Sequence, residues 1–350
     1  MPFIKDWIIM KRLPSLSTVL ALGAFAALAL PRAAAAVSAD DILKDFEKNG
    51  DYVRPFATLF GSASNGGWYQ SSAVPRGFSF YVGLPITSTR IADDDRSYQG
   101  TWSDPGCKQY HQNNPSGTQS CKETQSFTTP TIFGRGQGPV LDTSVYSPTS
   151  NSIVSSFPVP FSDGNGTLAA YNWLPFLEPQ VSFSYYNTEL KLRYLAIPLS
   201  VFSVSLPGVG IQHDLSSFLP PLPVSISVAA NWTWMSATWK PGGHIDGQLD
   251  LDGTSAFYGV LAGYTYQKWL EVFVETGWET ASVKSGGQLT LHAKGEADQI
   301  IKPNLTLDGR NGFRLGLNIA FHLGYDAVLG QSFGANLGNQ LGVLAYRYKK

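Results

Sequence analysis

Three adjacent residues, Gln212, His213 and Asp214, come closest to acid/base machinery in this sequence. An imidazole beside a carboxylate can act as a general base. On a strand, however, neighbouring side chains point to opposite faces, so His213 and Asp214 cannot cooperate directly. A turn at a strand end is therefore the favoured interpretation. A barrel enzyme that uses His213 or His322 remains a minor alternative.

Two well-known catalytic and nucleotide-binding motifs do not occur in the chain. It contains no HExxH and no phosphate-binding GxxxxGK[ST] sequence. Formal net charge is −1, which gives no reason to expect a nucleic-acid partner. We therefore predict a protein that is not an enzyme, with no catalytic residue, no metal site and no cofactor.

Ionisable and amide side chains recur on one face of several alternating stretches. Such a face, with charges of both signs and many small residues, is typical of the inside of a barrel, where charges must be hydrated or paired. The residues predicted to face the lumen are Glu189, Lys191, Arg193, Glu271, Glu275, Glu279, Arg314, Asn318 and His322. Two interpretations stay open: an ion-paired network that fills a narrow lumen, or a polar pathway that contacts a ligand.

The apolar residues of the same stretches lie on the opposite face. In residues 313–323 every second residue is large and apolar, which suits either a soluble sheet core or a surface that meets lipid. Stretches of about eleven residues match tilted membrane strands better than soluble ones. Aromatic residues end the apolar stripes and predict a lipid-facing girdle of Trp232, Trp234, Tyr264, Tyr266, Trp278, Phe313 and Phe321. A membrane barrel is favoured over a soluble β-sandwich.

The N-terminus has the pattern of an export signal. Lys11 and Arg12 precede an apolar run that leads into the small residues PRAAAAVSA. This predicts a signal peptide over residues 1–36, with cleavage after Ala36 or, as the second choice, after Ala39. A retained membrane anchor is the alternative. Export together with the barrel pattern predicts the bacterial outer membrane as the location.

The rest of the chain divides into two parts. Residues 37–77 are predicted as a helical N-terminal segment and candidate plug, with helices over 38–61 and a turn-rich bridge after them. Residues 78–350 are predicted as an all-β, transmembrane antiparallel barrel of about 10–14 strands, interrupted by an irregular loop region at 93–170.

Two cysteines, Cys107 and Cys121, are the only ones in the chain and lie within that loop region. An exported protein meets an oxidising compartment, so the pair predicts a disulfide that closes a surface loop. A metal site is disfavoured because His111 is the only good additional ligand nearby.

Several longer segments carry a family resemblance. The runs SLPGVGIQHDLSSFLPPLPVSISVAANWTW, YVRPFATLFGSASNGGWY, TIFGRGQGP and GRNGFRLGLNIAFHLG resemble an uncharacterised family of bacterial outer-membrane β-barrel proteins. The chain is more distantly similar to the long-chain fatty-acid transporter family of the outer membrane, which implies a plug in the lumen formed by the N-terminal helices. The Asn-Pro-Ala signature of that plug is absent, and the chain ends in AYRYKK rather than on an aromatic residue.

These patterns support two functional hypotheses. The first is a passive channel or transporter for small solutes, hydrophobic ones included. The second is a structural or surface-interaction barrel with a filled lumen. For either, the expected partners are outer-membrane lipid, periplasmic chaperones and the barrel-assembly machinery, and for the first also a small hydrophobic molecule.

Overall fold

The computed structural model describes residues 50–52, 54–161, 164, 168–198, 202–220, 223–240, 245–291, 299–309, 311–322, 325–333 and 338–349. The predicted signal peptide and the first part of the predicted helices, residues 38–49, lie outside this range. Within it, no helix combines the length and apolar character needed to cross a membrane.

Helices are few in the described chain. They are α1 (Arg54–Ser64) and α2 (Pro105–Asn113), with short 3-10 turns at Gly50–Tyr52, Asp93–Asp95, Leu168–Ala170 and Ser216–Phe218. The strands are β1 (Ser79–Arg90), β2 (Ser97–Ser103), β3 (Thr124–Pro130), β4 (Val140–Ser147), β5 (Ser152–Pro160), β6 (Trp173–Leu177), β7 (Gln180–Tyr185), β8 (Thr188–Pro198), β9 (Phe202–Asp214), β10 (Ser225–Trp239), β11 (Ile245–Tyr266), β12 (Leu270–Leu291), β13 (Gln299–Ile301), β14 (Thr306–Asp308), β15 (Gly312–His322), β16 (Tyr325–Phe333) and β17 (Gly338–Lys349).

Ten of these strands close into a barrel. Pairing runs from β1 through β7, β8, β9, β10, β11, β12, β15, β16 and β17 and back to β1. Every neighbouring pair in this circuit is antiparallel. The prediction of an antiparallel barrel is confirmed, and ten strands fall within the expected range and satisfy the even number usual for such barrels.

The alternation in β15 shows why these sequences form the wall. Arg314 and Asn318 are buried on the inside, whereas Phe313, Leu315 and Leu317 are exposed on the outside. Successive side chains of a strand point to opposite faces, so the period-2 pattern assigns polar groups to the interior and apolar groups to the outer surface.

Two strands are longer than the sequence pattern indicated. β11 and β12 are 22 residues each. The alternating stretches predict two shorter strands in place of β11, at 244–252 and 254–267, and two in place of β12, at 269–283 and 286–296. Gly253 lies at the first expected break, but its place in β11 is determined by packing, because a Cβ there would lie 2.9 Å from the Phe60 ring. Gly253 therefore does not form a turn. It lets the Phe60 ring pack closely against a strand that continues on both sides of it.

The barrel has two distinct ends. The short-turn end carries the tight connections at 186–187 and 267–269, and both the first residue of β1 and the last of β17 pair there, Ser79 with Lys349. The loop end carries the longest connection, residues 91–172 between β1 and β6.

The loop region at 93–170 is more ordered than predicted. It contains α2 and two hairpins, β2–β3 and β4–β5. The Asp104 side chain caps α2 by accepting from the amides of Gly106 and Cys107, and it also accepts from the Ser144 hydroxyl at 2.7 Å. The sequence pattern missed these elements because Ser, Thr, Pro and Gly dominate their composition. The sequence pattern also predicts a strand near residues 165–172, whereas among the described residues 168–172 Leu168–Ala170 form a 3-10 turn.

Candidate functional site

The residues predicted to face the lumen lie on the inner side of their strands. Eight of the nine are at most 3 % exposed, namely Glu189, Lys191, Arg193, Glu271, Glu275, Glu279, Arg314 and Asn318. The ninth, His322, is partly buried at the short-turn end of β15. The strands therefore bring all nine to the interior of one barrel.

Charges on the wall form close ion pairs. Lys191 Nζ lies 2.8 Å from Glu189 Oε2. Arg314 bridges two carboxylates, with Nε 3.0 Å from Glu275 Oε1 and Nη1 3.1 Å from Glu279 Oε2. Burying an isolated charge at such a position would cost a large amount of free energy. Each of these charges is therefore stabilised by its partner of opposite sign.

A segment of the chain itself occupies the interior. Residues 54–74, named here the lumen segment, run along the inside of the barrel, and positions on β11 show their course. The Ser64 hydroxyl oxygen lies 2.6 Å from that of Ser255. Further along, a Cβ at Gly263 would lie 2.3 Å from Ser72 Oγ. The segment therefore proceeds from the loop end towards the short-turn end.

Helix α1 packs at the loop end of the interior. Ala57 and Phe60 of the helix, with Tyr52 of the preceding 3-10 turn, form a buried apolar cluster with Leu206, Met235, Ala237, Val283 and Leu307. At Gly61 the helix touches the wall so closely that a Cβ would lie 2.3 Å from that of Ala281. Burial of apolar area therefore holds this half of the lumen segment.

The indole of Trp68 fills the middle of the barrel. It is fully buried, and the Arg193 guanidinium lies 4.0 Å from its ring centroid. Gly208 and Gly210 on β9 leave room for the ring, since added Cβ atoms would lie 3.0 and 2.8 Å from it. The indole N–H donates to Ser64 O at 2.8 Å. The wall is therefore shaped to receive this side chain.

Arg193 also links the lumen segment to the wall. Its Nη1 donates to Gly66 O at 2.8 Å and to Glu178 Oε2 at 2.6 Å. Its Nε donates to Gln180 Oε1 at 2.7 Å, while Gln180 Nε2 donates to Trp68 O at 3.2 Å. A single guanidinium thus satisfies a backbone carbonyl of the segment and a carboxylate of the wall.

Tyr69 connects the segment to β10, which lies two strands along the wall from Arg193 on β8. Its hydroxyl donates to Asn231 Oδ1 at 3.1 Å, and Asn231 Nδ2 donates to Asn65 Oδ1 at 3.2 Å. The phenol therefore acts as a hydrogen-bond donor that ties the lumen segment to the wall.

Glu271 holds the lumen segment at the short-turn end. Its carboxylate accepts from the Ser71 hydroxyl at 2.7 Å, from the Ser72 amide at 2.7 Å and from the Ser72 hydroxyl at 2.6 Å. His322 Nε2 lies 3.2 Å from the same carboxylate. Charge-assisted hydrogen bonds of this kind are stronger than neutral ones, so Glu271 is the main polar anchor here.

Removal of the Glu271 carboxylate should loosen residues 71–74, the part of the lumen segment that lies at the short-turn end. In Glu271→Ala the Ser72 amide loses its acceptor, and a hydrogen bond to a charged group contributes about 1.5–3 kcal/mol. We expect amide hydrogen exchange of residues 71–74 to accelerate about 10- to 100-fold. Glu123→Ala, which removes an exposed contact to His111 of 2.8 Å, is the matched control. Unchanged exchange in Glu271→Ala would refute the anchor role.

The aromatic residues of the predicted girdle lie on the outer surface. Six of them are exposed by 44 to 59 %, namely Trp232, Trp234, Tyr264, Tyr266, Trp278 and Phe313. Phe321 is less exposed because it stacks on Trp269, with ring centroids 6.5 Å apart. Their contact with lipid remains a prediction.

The loop region packs over the loop end of the lumen. Ile91 and Phe133 form a buried cluster with Leu59 of α1. Ile132 N donates to Tyr52 O at 3.1 Å. The interior is therefore covered at this end by chain that belongs to the connection between β1 and β6.

The two cysteines form the predicted disulfide, with Cα atoms 5.8 Å apart. Their sulfur atoms and one ring nitrogen of His111 lie within 4.8 Å of one another, but the two sulfurs are bonded to each other. His111 Nδ1 in turn lies 2.8 Å from Glu123 Oε1.

The first catalytic candidate is not a dyad in the structure. His213 Nδ1 lies 2.8 Å from Thr188 Oγ1, and its ring lies beside Phe218. Asp214 instead accepts from the Ser216 amide at 2.7 Å and from the Val74 amide at 3.3 Å. The two side chains serve separate contacts, as strand geometry requires.

The most informative residues of the interior were not singled out by sequence. Trp68, Tyr69, Ser71 and Ser72 fall in the stretch SNGGWYQSSAVPRG, which was interpreted as a turn-rich bridge. Glu178, the partner of Arg193, lies just outside the alternating stretches. The adjacent aromatic residues Trp68 and Tyr69, within a run rich in Gly and Ser, are the sequence feature that could have indicated that this stretch packs inside the barrel.

A closed antiparallel barrel with an apolar outer face and a charged, occupied interior defines the class of outer-membrane β-barrels. Within that class, the chain belongs to the family described as "Family of unknown function (DUF6588)", whose pattern matches residues 10–343. No curated protein matches the sequence.

Solved structures with a related arrangement are also outer-membrane barrels. The transport unit of the autotransporter AIDA-I from Escherichia coli has 11 % identity and a TM-score of 0.30, covering 87 % of this chain and 99 % of that one. The Ralstonia pickettii toluene transporter TbuX has 10 % identity and a TM-score of 0.25, covering 80 % and 92 %. A Pseudomonas aeruginosa FadL homologue has 11 % identity and a TM-score of 0.17, covering 83 % and 92 %. TM-scores this low do not support a conclusion about the fold. The strand pairing alone shows that the barrel is closed.

Proposed function

We propose that the protein is an outer-membrane channel that is closed by its lumen segment and passes small solutes, hydrophobic ones included, when this segment is displaced. The observation that carries the proposal is the occupation of the interior by residues 54–74. A separable piece of chain, held by contacts along its length, can leave a lumen without disruption of the wall.

The size of the barrel supports this proposal. Barrels of about eight strands are filled by their own side chains, and wider ones have space for other contents. Small inward residues on the wall, such as Gly208, Gly210, Ser227 and Ser255, enlarge the interior further. Displacement of the lumen segment would expose an interior lined by Glu271, Arg193 and other polar groups.

Export and assembly complete the proposal. The N-terminal signal directs the chain across the inner membrane and is cleaved after Ala36. Periplasmic chaperones and the barrel-assembly machinery then insert the barrel into the outer membrane, where Trp232, Tyr264 and the other girdle residues contact lipid.

A second candidate is a barrel with a permanently filled lumen and a structural or surface-interaction role. The observation in its favour is that the polar contacts between the wall and the lumen segment are deeply buried. Arg193 and Glu178, which take part in them, are at most 3 % exposed. The ordered loop region at the loop end would then supply the interaction surface.

A reversible crosslink between the lumen segment and the wall tests the proposal. Hydroxyl oxygens 2.6 Å apart place Ser64 and Ser255 within reach of a disulfide, so the double variant Ser64→Cys/Ser255→Cys should lock the segment. We expect the channel openings of the wild type in planar bilayers, and solute uptake into liposomes, to cease in the oxidised variant and to return with reductant.

Two controls make the crosslink decisive. The single variants Ser64→Cys and Ser255→Cys report the effect of substitution alone, and the wild type with reductant reports the effect of opening the Cys107–Cys121 disulfide. Openings that persist in the locked variant would contradict displacement of the segment. Absence of openings and uptake in every form would overturn the channel proposal and favour the filled-lumen barrel.

A further inference from the structure

We infer that a groove on the outer face of the barrel wall, between β10 and β14, binds the sugar headgroup of a membrane glycolipid. The groove lies outside the lumen, so this inference goes beyond the proposed channel. It depends on placement in the outer membrane but not on conductance.

Small side chains form the floor of the groove. Ala256 pairs with Thr280 across the β11–β12 ladder, and two residues further along Thr254 pairs with Ser282. Directly paired residues of antiparallel strands share a face, and Ala256 pairs in turn with the exposed Trp232 of β10. The floor therefore belongs to the outer face. The depression above it has a volume of about 340 Å³, at the lower end of the range for small-ligand pockets.

One side of the groove is aromatic. Trp232 and Trp234 alternate along β10, so both indoles stand on the outer face beside the small residues of β11. Each is a little under half exposed, and both line the depression. A pair of flat apolar ring surfaces therefore borders the floor.

The opposite side of the groove is polar. Asp308 of β14 pairs with Ser282, and the side chain of Asn311, just before β15, lines the same depression. Asn311 Oδ1 accepts from a backbone amide of β12 at 2.8 Å, which fixes this side chain against the wall. The register shifts by one residue between the pairs Ser282–Asp308 and Glu279–Gly312. Irregularities of this kind redirect side chains of a strand.

The groove lies where the apolar band of the wall ends. From Tyr264, near the short-turn end, to Thr254, β11 extends by about ten residues, which is about 33 Å along the strand. A strand tilt of about 40° converts this length into about 25 Å of height, the height of the apolar band. Beyond Thr254 the outer face carries Asp252 and, opposite it on β12, Lys284. The groove therefore lies at the level of lipid headgroups.

The leaflet follows from the connections. Bacterial outer-membrane barrels have short turns on the periplasmic side and long loops on the extracellular side. The groove is near the loop end, which carries the longest connection, residues 91–172. It therefore faces the headgroups of the outer leaflet.

A sugar ring matches both sides of the groove. One face of a pyranose ring consists of C–H groups, which can be buried against the indoles of Trp232 and Trp234. The hydroxyl groups at the ring edge can donate to the Asp308 carboxylate and exchange hydrogen bonds with the Thr280 and Ser282 hydroxyls. A ligand with several hydroxyl groups thus meets several hydrogen-bonding side chains at once.

The charge of the groove disfavours other headgroups. Among the described residues that line it, Asp308 alone is ionisable. A phosphate would meet this negative charge and no lining cation. An ammonium group can pair with a carboxylate and lie over an indole, but a single such group would fill only part of the depression.

Photocrosslinking in liposomes tests the inference. The full-length exported protein is reconstituted in phosphatidylcholine liposomes that contain a trace of glucosyl diacylglycerol with a diazirine on its sugar. Crosslinked peptides are identified by mass spectrometry. We expect crosslinks to concentrate in the peptides of β10 and β14, and unlabelled glucosyl diacylglycerol to compete with them.

Variants on opposite sides of the groove make the test specific. The double variant Trp232→Ala/Trp234→Ala should lower the crosslinking yield at these peptides by about tenfold or more, because two aromatic contacts are lost. Thr280→Phe fills the floor and keeps both indoles, so it should cause a similar loss and still decides the question if the double variant does not fold. Trp269→Ala removes a tryptophan of the short-turn end, outside the groove, and should leave the yield unchanged.

Three results would overturn the inference. The first is an equal yield in the wild type, Thr280→Phe and the double tryptophan variant. The second is an equal loss in Trp269→Ala, which would indicate a general effect of aromatic residues at the membrane boundary. The third is competition by phosphatidylethanolamine or phosphatidylglycerol as strong as that by unlabelled glucosyl diacylglycerol, because the groove would then not recognise the sugar. None of these results involves conductance, so failure of the channel proposal is distinguishable.

Discussion

Replacement of Arg314 by Met should cause the largest loss of stability among single substitutions of the wall. Arg314 is the bridging cation between Glu275 and Glu279, and all three residues are at most 3 % exposed. Without it, two like charges would remain in the buried interior. Loss of one partner from a buried ion pair costs about 3–5 kcal/mol. We expect the free energy of unfolding to fall by that amount in urea titrations of the barrel in lipid vesicles.

A charge-matched variant separates electrostatics from packing. In Arg314→Met/Glu275→Gln/Glu279→Gln the buried charges are absent together, and removal of a complete buried network is often near neutral. Most of the lost stability should therefore return. Arg76→Met, at an exposed arginine, is the control for loss of a positive charge. If Arg314→Met and Arg76→Met unfold alike, the bridge does not stabilise the barrel.

Replacement of Trp68 by Ala should have the largest effect on channel opening. Trp68 is fully buried against Arg193, Gly208 and Gly210, and truncation of a buried tryptophan costs about 3–5 kcal/mol. Because the ring belongs to the lumen segment, this loss weakens docking of the segment rather than the strand ladder. We expect the open fraction in planar bilayers to rise about 100- to 4,000-fold, since each 1.4 kcal/mol is about tenfold.

Trp278→Ala is the matched control for this substitution. Trp278 is a tryptophan of the outer surface with 45 % exposure and no contact with the interior, so its removal should leave the open fraction unchanged. An equal change in both variants would point to a general effect of barrel stability. No change in Trp68→Ala would contradict a role of the indole in closure.

The wall of this protein was largely predictable from local sequence. Alternation in stretches such as residues 311–324 assigns Arg314 and Asn318 to one face and Phe313 and Leu317 to the other, and the structure places them so. The period of a strand is two residues whatever its partners are, so a face can be predicted before any pairing is known. The cysteine pair was equally predictable, because the chain has no other candidates.

Strand boundaries and the loop region were less predictable. The sequence pattern indicated breaks at residue 253 and at residues 284–285, yet the β11–β12 ladder continues through both. At Gly253 the reason is the Phe60 ring, which comes from almost two hundred residues earlier in the chain. In the loop region, Asp104 contacts Ser144 and Phe161 contacts Trp102. These contacts join segments that lie far apart in the sequence, so no local sequence pattern predicts them.

Sequence by itself determined the class of fold, the inward and outward faces and the residues that carry charge to the interior. Only the tertiary structure decided what meets those charges. Trp68 and Ser72 lie in a stretch without periodicity, and their positions depend on contacts with Arg193 and Glu271, more than a hundred residues away. A strand face is a local property of the chain, whereas the contents of a lumen depend on where distant segments lie after the barrel has closed.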